Sequence, residues 1–500
     1  MNMVTIASSR PAPILDMIII GAGISGIGMA VHMKRECPGK TVAILEQRDN
    51  LGGTWDLFRY PGIRSDSDMH TLGFSFAPWK HEKAIADGPS ILDYLHEITA
   101  EYGLKSQMRF GQKVVAAAWD STAARWTVTL EGKDGSQRKL QGGFLFLGSG
   151  YYDYDAPYDA GFKGRDEFKG TIIHPQFWPT DLDYTGKKVV VIGSGATAVT
   201  IVPAMAEAGA GHVTMLQRTP TWMASRPAKD AIANGLRKIL PERVAYKLTR
   251  AKNIFMQDLM FKRVRSHPEK TKEFLSGKVK EHLGENYNAA DFTPPYNPWD
   301  QRLCLVPDAD FFTAMNAGKA SVVTGQIDSF DATGIKLAGG EHIDADVIVT
   351  ATGLSMTFAG KIATSVDGAP VDFSKSFFYR NCMFSNVPNM AGVFGYLNAS
   401  WTLRVDIVAE YITRLLRQMD LYGAVAAVPA MAPGTEPAED DIFDFSSGYI
   451  QRGKDQMPRN AASLPWRLNQ EYRKDRQDMR HALIDDGVLE FQRAKDLVTG

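Results

Sequence analysis

Two glycine-rich turns in the sequence have the composition and spacing of nucleotide-binding turns. The first is Gly21-Ala22-Gly23-Ile24-Ser25-Gly26, and the second is Gly193-Ser194-Gly195-Ala196-Thr197-Ala198, followed by Val199. Glycines allow the backbone to approach a pyrophosphate at the N-terminus of a helix, where free N–H groups favour an anion. Ala198 replaces the third glycine of the second turn, at a position that needs only a small residue. The sequence therefore predicts two dinucleotide sites.

The residue that follows each turn at ribose distance indicates which dinucleotide binds there. Glu46 lies 20 residues beyond Gly26, and a carboxylate at that offset accepts hydrogen bonds from a ribose diol. The second unit has Gln217 and Arg218 instead, and a guanidinium can bind a 2'-phosphate in a fork. We predict FAD in the first unit and NADPH in the second, with a solvated surface arginine as the alternative for Arg218.

Each turn lies between an apolar run and a helical pattern, which is the order strand, turn, helix. Residues 16–20 predict the first strand, and residues 188–192 and 199–208 predict the second strand and its helix. The fold class expected is α/β with two Rossmann-like dinucleotide-binding domains. We expect an FAD domain over residues 1–150, an NADPH domain over 151–384 with a helical insertion near 222–300, and a return to the FAD domain with a C-terminal extension over 385–500.

Composition excludes several other classes of protein. The 500 residues are 44% hydrophobic and 23% charged, with a net charge of -1, which does not support nucleic-acid binding. Cys37, Cys304 and Cys382 are far apart and match no metal or disulfide spacing, so we expect no metal site and a cytoplasmic location. No apolar run is long enough to cross a bilayer.

Two further runs carry a resemblance to a known family. Residues 168–179 read F-x-G-x-x-x-H-x-x-x-W-P, with His174 and Trp178 at the marked positions, and residues 52–66 read G-G-T-W-x4-Y-P-G-x3-D. Singly, these residues are ordinary turn, linker or core residues. Together they resemble the two fingerprints of type I Baeyer–Villiger monooxygenases, which insert one oxygen atom of O2 next to a carbonyl. Flavin-containing and N-hydroxylating monooxygenases carry a similar run that usually ends in another aromatic residue.

The resemblance implies roles for individual residues. It implies that Asp66 pairs with a catalytic arginine, Arg302, for which a structural ion pair is the alternative. The other residues to which the resemblance assigns contact with the cofactors are Thr54, Trp55, Asp56, Leu57, Arg64, Ser65 and Val114. Many relatives have Lys before this arginine and use it to hold the NADPH phosphate, whereas this chain has Gln301.

The resemblance also implies the reaction. NADPH reduces FAD, O2 forms a C4a-peroxyflavin, and this species converts a ketone to an ester or lactone or oxidises a sulfide. A fixed guanidinium would stabilise the anions involved. The alternatives are a flavin-containing or N-hydroxylating monooxygenase acting on amines or sulfides, a non-catalytic flavin sensor, and a disulfide reductase, which would need a cysteine pair. The sequence leaves the substrate and the oligomeric state open.

The helical insertion contains a stripe of Met256, Leu259, Met260 and Phe261 interleaved with Lys and Arg. Such a stripe is typical either of a helix lying on a membrane surface or of a helix packing one face on its own domain. We expect packing, because it is the commoner case, and we expect the helix to contribute to the substrate entrance.

Overall fold

The structure, a computed structural model, describes residues 14–441 and 445–494. The first part of the chain contains β1 (Leu15–Ile20), α1 (Ile24–Glu36), β2 (Val42–Leu45), α2 (Thr54–Leu57), α3 (Met69–Leu72), α4 (Gly88–Glu101), β3 (Met108–Arg109), β4 (Gln112–Asp120), β5 (Arg125–Gly132) and β6 (Gln137–Leu147). The middle part contains β7 (Thr171–Ile173), β8 (Lys188–Ile192), α5 (Ala196–Glu207), β9 (His212–Gln217), β10 (Met223–Arg226), α6 (Ala231–Ile239), α7 (Glu242–Ser266), α8 (Pro268–Leu283), α9 (Ala289–Phe292), β11 (Cys304–Pro307), α10 (Asp310–Asn316), β12 (Ala320–Thr324), β13 (Ile327–Phe330), β14 (Gly334–Leu337), β15 (His342–Asp344) and β16 (Val347–Thr350). The last part contains β17 (Ala363–Val366), β18 (Ala369–Pro370), β19 (Phe378–Tyr379), β20 (Met383–Phe384), β21 (Met390–Gly392), α11 (Trp401–Tyr422), β22 (Ala424–Pro429), α12 (Gly448–Gly453), α13 (Tyr472–His481) and β23 (Leu489–Arg493).

The first sheet combines parallel strands with an antiparallel hairpin. Its order is β18-β17-β4-β5-β6-β1-β2-β3, and β21 pairs with β6 from the far end of the chain. Strand β1 runs parallel to β2 and β6, and its central residues Met17, Ile18 and Ile19 are fully buried. A strand covered on both faces is apolar, which explains why residues 17–20 of β1 show no alternation with polar residues.

The second sheet is entirely parallel, in the order β12-β9-β8-β16-β7. Strand β8 has the bounds predicted from the sequence, and α5 begins at Ala196, directly after Gly195 and three residues before the predicted start. The carboxyl ends of β1 and β8, one strand in each sheet, lead into the two glycine turns. The predicted α/β class with two Rossmann-like units is therefore confirmed.

The chain passes between the two sheets more than once. Strand β7 joins the second sheet, whereas β17 at Ala363 pairs in parallel with β4 of the first sheet. Residues 363–370 therefore contribute to the first sheet although they precede the predicted boundary at 384. The domain boundaries stay a prediction. Helix α11 then packs across α1 and closes the first unit.

The helical insertion consists of α6 to α9, and its long helix α7 buries one face. That face is formed by Ala245, Tyr246, Thr249 and Arg250, and the Arg250 guanidinium donates to Asp406 Oδ2 at 3.1 Å. Met256, Leu259 and Met260 are 45–49% exposed. The helix therefore packs one face on its domain, but Met256, Leu259 and Met260, which were expected to form that face, do not belong to it. Among the helices of the described residues, none is long and apolar enough to span a membrane.

Candidate active site

The first glycine turn, between β1 and α1, requires glycine at two positions. Gly21 has a φ of +102°, and a Cβ atom on it would lie 2.5 Å from the carbonyl oxygen of Gly148. A Cβ atom on Gly26 would lie 1.9 Å from the carbonyl oxygen of Gly21. Gly21, Gly23 and Ser25 line a cavity, whereas Gly26 packs beneath the turn. The backbone at the N-terminus of α1 is thus open to a ligand.

Glu46, directly after β2, lies next to this turn. The side chain is buried, and its Oε2 atom accepts a hydrogen bond from Ala22 N at 2.8 Å while Oε1 accepts one from Arg48 N at 2.9 Å. Burial raises the pKa of Glu46. Glu46 and Val114 both line the cavity, and their place at the adenosine end of a dinucleotide stays a prediction.

The loop that begins at Gly52 divides into residues that face the cavity and residues that support the loop. Thr54 and Trp55 line the cavity. The Asp56 carboxylate is buried and forms ion pairs with Arg48 at 2.7 Å and Arg59 at 2.8 Å. Asp56 was predicted to contact the cofactor, and its side chain instead bonds to protein.

The remaining predicted residues of this loop divide in the same way. Arg64 lines the cavity and forms an ion pair with Asp310 across to the second unit. Ser65 is buried, and its hydroxyl accepts a hydrogen bond from Ala86 N at 3.2 Å. Leu57 does not line the cavity. Ser65 and Leu57 therefore shape the loop that carries Arg64 and Asp66.

The second glycine turn, between β8 and α5, has the same geometry as the first. Gly193 has a φ of +135°, and a Cβ atom on it would lie 2.3 Å from the carbonyl oxygen of Ala351. The Ser194 hydroxyl donates to the carbonyl oxygen of Thr219 at 2.8 Å. The residues of this turn that line the cavity are Gly193, Ser194, Gly195, Ala196 and Thr197.

The remaining predicted residues of the second unit form two pairs of neighbours in the sequence. Ala198 and Val199 are fully buried in the core between α5 and the sheet, as expected for a position that must be small. Gln217 is also buried, and its amide donates to the carbonyl oxygen of Asp291 at 2.8 Å. Arg218 is exposed and lines the cavity. Of Gln217 and Arg218, only the arginine is available to a ligand in the cavity.

Asp66 and Arg302, from distant parts of the sequence, meet in this cavity. Arg302 Nη1 donates to Asp66 Oδ2 at 3.1 Å, and Nη2 donates to the carbonyl oxygen of Leu397 at 3.2 Å. The Arg302 side chain is 35% exposed because it faces the cavity, although protein atoms surround it. The guanidinium thus has a fixed orientation and a free face.

Three tyrosines surround this pair. The hydroxyl oxygens of Tyr151 and Tyr152 are 2.5 Å apart, and Tyr449 approaches from the C-terminal extension. Burial alone would lower the pKa of Arg302, but interactions with neighbouring groups, including the negative charge of Asp66, outweigh it and the net shift is upward. Burial raises the pKa of each of the three tyrosines, so their hydroxyls stay neutral.

No pattern in the sequence predicted these tyrosines. Tyr151 and Tyr152 follow the carboxyl end of β6, the edge of an α/β sheet where ligands bind, and this position could have drawn attention to them. Tyr151 stacks on Trp401 with ring centroids 5.1 Å apart. No local pattern marks Tyr449, because only the tertiary fold brings the C-terminal extension to the cavity.

The fingerprint at residues 168–179 lies beside the cavity and does not line it. His174 Nδ1 accepts from Gln176 N at 3.2 Å, so the proton is on Nε2, which lies 3.3 Å from the carbonyl oxygen of Gly353. Burial lowers the pKa of His174. Gln176 Nε2 donates to the carbonyl oxygen of Asp153 at 2.8 Å. This segment therefore ties the loop after β16 to the linker that carries Tyr151 and Tyr152.

Both glycine turns, Glu46, Arg218 and the pair of Asp66 and Arg302 line one continuous cavity of about 1730 Å³. That volume exceeds the roughly 300–1,000 Å³ of a pocket for one small ligand. Cys304 lies beside the pair, and burial raises its pKa to about 12. All three cysteines are free and buried. Among the described residues, no group of His, Cys, Asp or Glu has the arrangement of a metal site.

Two nucleotide turns that open into one cavity define an oxidoreductase of the class that combines FAD with a nicotinamide dinucleotide. The chain belongs to the family described as pyridine nucleotide-disulphide oxidoreductase, whose profile matches residues 18–272. Within it, the chain belongs with FAD-containing monooxygenases. It is 48% identical over 487 residues, 97% of each chain, to the probable FAD-binding monooxygenase AlmA of Acinetobacter baylyi.

Other relatives agree with this assignment. The chain is 48% identical over 478 residues to the FAD-containing monooxygenase EthA of Mycobacterium tuberculosis, covering 95% of this chain and 97% of EthA. These relatives and the solved structures below agree with the predicted cofactors, FAD and NADPH. The three separate cysteines distinguish the chain from disulfide reductases, to which the family description also refers.

Solved structures share the fold over nearly the whole chain. A steroid monooxygenase bound to NADP has a TM-score of 0.76 at 20% identity, covering 96% of this chain and 100% of that chain. A cyclohexanone monooxygenase bound to epsilon-caprolactone has a TM-score of 0.75 at 20% identity, covering 96% and 99%. These structures confirm the fold, and the relatives AlmA and EthA confirm the predicted relationship to FAD-dependent monooxygenases.

Proposed function

We propose that the protein is a Baeyer–Villiger monooxygenase that uses NADPH and O2 to convert ketones to esters or lactones. The observation that carries this proposal is the Arg302 guanidinium, held by Asp66 Oδ2 and the Leu397 carbonyl oxygen with one face towards the cavity. Attack on a ketone carbonyl places negative charge on its oxygen. A permanently charged donor that is already oriented stabilises that charge without reorganisation.

The residues of the first unit fit FAD. Gly21 and Gly26 leave no room for side chains at the turn, and Glu46 is positioned to accept hydrogen bonds from a ribose. Thr54 and Trp55 would contact the flavin end. When bound and reduced, FAD supplies the activation of O2.

The residues of the second unit fit NADPH. The turn at Gly193–Thr197 would hold the pyrophosphate, and the exposed guanidinium of Arg218 would bind the 2'-phosphate. Gln301 lines the same cavity without a charge, so Arg218 is the main basis for the preference for NADPH over NADH.

Asp66 acts through Arg302. Its carboxylate accepts a hydrogen bond from Arg302 Nη1 and so fixes the orientation of the guanidinium. Its negative charge also raises the pKa of Arg302. Tyr151 and Tyr152 exclude water from one side of the pair and keep their protons, because burial raises their pKa. The substrate carbonyl would lie at the free face of Arg302.

The test is the product formed from ketones by the wild type and by Arg302→Ala. Linear, cyclic and aryl ketones and one thioether would be supplied with NADPH in air, and products would be identified by gas chromatography. We expect the variant to reduce its flavin with NADPH but to form ester at least about 100-fold more slowly. Arg302→Lys keeps the positive charge but loses the forked guanidinium, so its rate of ester formation should lie between those of the wild type and Arg302→Ala.

A different set of products would contradict the Baeyer–Villiger assignment. If ketones yield only hydrogen peroxide, while the thioether or an amine is oxygenated equally by wild type and Arg302→Ala, the Baeyer–Villiger assignment is wrong. The protein would then act in the manner of flavin-containing monooxygenases.

A further inference from the structure

The helical insertion carries most of the exposed apolar side chains of the molecule. Among the described residues, fourteen large hydrophobic side chains are exposed, and nine of them lie on α6, α7 and α8. Six of the nine are on α7, which are Val244, Leu248, Phe255, Met256, Leu259 and Met260. Exposed apolar residues concentrated in one place mark an interaction surface, whereas scattered ones need no explanation.

These residues form a continuous stripe along α7. Val244, Leu248, Phe255 and Leu259 are spaced by four, seven and four residues, so they share one face of the helix. Met256 and Met260 lie on the adjoining face and also line the cavity. The stripe therefore runs from the outer surface of the insertion to the rim of the cavity. We call it the α7 stripe.

Basic residues flank the α7 stripe. Residues 230–283 contain thirteen Lys or Arg against six Asp or Glu, in a chain whose net charge is -1. Lys238, Arg243, Lys247 and Arg263 are exposed and form no ion pair with any residue that the structure describes. An apolar face bordered by unpaired lysines and arginines is the pattern of helices that lie in the interface of an anionic bilayer.

We propose that α6 and α7 dock on the surface of an anionic lipid membrane, with the α7 stripe at the boundary between headgroups and acyl chains. A second copy of this chain fits less well, because two surfaces with the same excess of positive charge would repel each other. Docking would place Met256 and Met260, and hence the mouth of the cavity, at the lipid surface. Apolar substrates dissolved in the membrane could then enter without passing through water.

The test is co-sedimentation of the FAD-loaded full chain with lipid vesicles. One set of vesicles contains phosphatidylcholine alone, and the other contains phosphatidylcholine and phosphatidylglycerol in equal amounts. The test variant is Leu248→Glu/Leu259→Glu, which leaves the residues that line the cavity unchanged. The matched control is Leu421→Glu/Leu483→Glu, at two side chains that are 80% and 72% exposed outside the insertion.

We expect wild type and control to bind the anionic vesicles, and to bind them more weakly as salt is added. The Leu248→Glu/Leu259→Glu variant should bind at least about 10-fold more weakly, because it loses two apolar contacts and gains two charges facing anionic lipid. Lys247→Ala should weaken binding by about 5-fold. NADPH oxidation in solution reports separately on folding and on the proposed reaction.

Three results would overturn the proposal. The first is no binding of the wild type to anionic vesicles, and the second is equal binding by wild type and Leu248→Glu/Leu259→Glu. The third is a change of molecular mass in light scattering when the α7 stripe is altered, which would identify the stripe as an interface between copies of the chain.

Discussion

At the residue scale, the two protein partners of Arg302 differ in charge, and this difference can be measured. Asp66→Ala removes the carboxylate and leaves the Leu397 carbonyl oxygen as the remaining partner. We expect kcat for ketone oxidation to fall about 10- to 100-fold, because the guanidinium loses its fixed orientation. Asp66→Asn keeps a hydrogen-bond acceptor, so its kcat should fall less than that of Asp66→Ala.

The control for this prediction is the reduction of FAD by NADPH under anaerobic conditions, which does not require the oriented guanidinium and should be unchanged. An unaltered kcat with a raised KM would show that Asp66 contributes to substrate binding and does not position Arg302.

Arg218 is the residue that we propose to determine the preference for NADPH over NADH. Arg218→Ala removes the guanidinium proposed to bind the 2'-phosphate, which is worth about 1.5–3 kcal/mol as a charge-assisted contact. We expect the KM for NADPH to rise by about 10- to 100-fold and the KM for NADH to change little. Steady-state NADPH and NADH oxidation at saturating ketone measures both. An equal rise for the two cofactors would indicate a solvated surface arginine with a general electrostatic effect.

Individual residues differ in how far the sequence can predict them. Asp66 and Arg302 could be paired in advance because the family resemblance implies a role for each. Asp56 was assigned by the same resemblance and Gln217 by its offset from the second turn, but their polar groups bond to Arg48 and to the Asp291 carbonyl oxygen. The sequence pattern identifies a loop near a cofactor, and only tertiary contacts decide which side chains of the loop face the cavity.

At the element scale, the turn between β8 and α5 contains two glycines with different structural constraints. Gly193→Ala would force a Cβ atom to within 2.3 Å of the Ala351 carbonyl oxygen at a φ of +135°, so the turn or β16 must shift. Gly195 meets no atom within 4 Å of its added Cβ and has a φ of -76°. We expect Gly193→Ala to lower the stability of the protein by about 1–3 kcal/mol, and Gly195→Ala to fold normally.

Ligand binding then separates the two variants further. If the pyrophosphate of NADPH approaches the turn as proposed, Gly195→Ala should weaken NADPH binding while leaving thermal unfolding without NADPH unchanged. Calorimetric titration and thermal unfolding measure the two quantities. Unchanged stability in Gly193→Ala would contradict the steric argument.

The elements themselves were predictable where local pattern and tertiary role coincide. Strand β8 is a short apolar run between turn residues, and its predicted and observed bounds are the same. The apolar residues that the sequence shows on α7 are the opposite case, namely Met256, Leu259, Met260 and Phe261. Their spacing predicts an apolar face, but a face that packs on protein and a face that meets lipid have the same periodicity. The structure shows that Met256, Leu259 and Met260 are exposed, which their periodicity alone does not.

At the scale of the whole molecule, the C-terminal extension contacts the segment whose carbonyl oxygen holds Arg302. Gln470 Oε1 accepts from Leu397 N at 3.1 Å, next to the carbonyl group that holds Arg302. Asp475 on α13 is fully buried, lies 3.2 Å from Arg404 Nε, and accepts hydrogen bonds from Tyr396 and Asn381. No pattern in the sequence predicted a role for this extension, because its partners lie far away in the chain.

This buried ion pair leads to a prediction about stability. Asp475→Leu leaves the Arg404 guanidinium buried without its carboxylate, and removing one partner of such a pair costs about 3–5 kcal/mol. Replacing both, in Arg404→Met/Asp475→Leu, removes the uncompensated charge and should recover a substantial part of that loss. Denaturant unfolding of the FAD-loaded protein measures the free energies. A double variant no more stable than Asp475→Leu would show that Arg404 is stabilised mainly by stacking on the Tyr396 ring, 4.0 Å away.

The same two variants show whether the extension also positions the catalytic pair. Tyr396 precedes Leu397, so loss of Asp475 should loosen the segment whose carbonyl oxygen holds Arg302. We expect Asp475→Leu to lower kcat for ketone oxidation while anaerobic reduction of FAD by NADPH stays unchanged, as for Asp66→Ala. If the double variant regains stability but not kcat, the contacts of Asp475 with Tyr396 and Asn381 are what orient the segment. Recovery of both together would instead mean that the extension acts on the active site only through the stability of the fold.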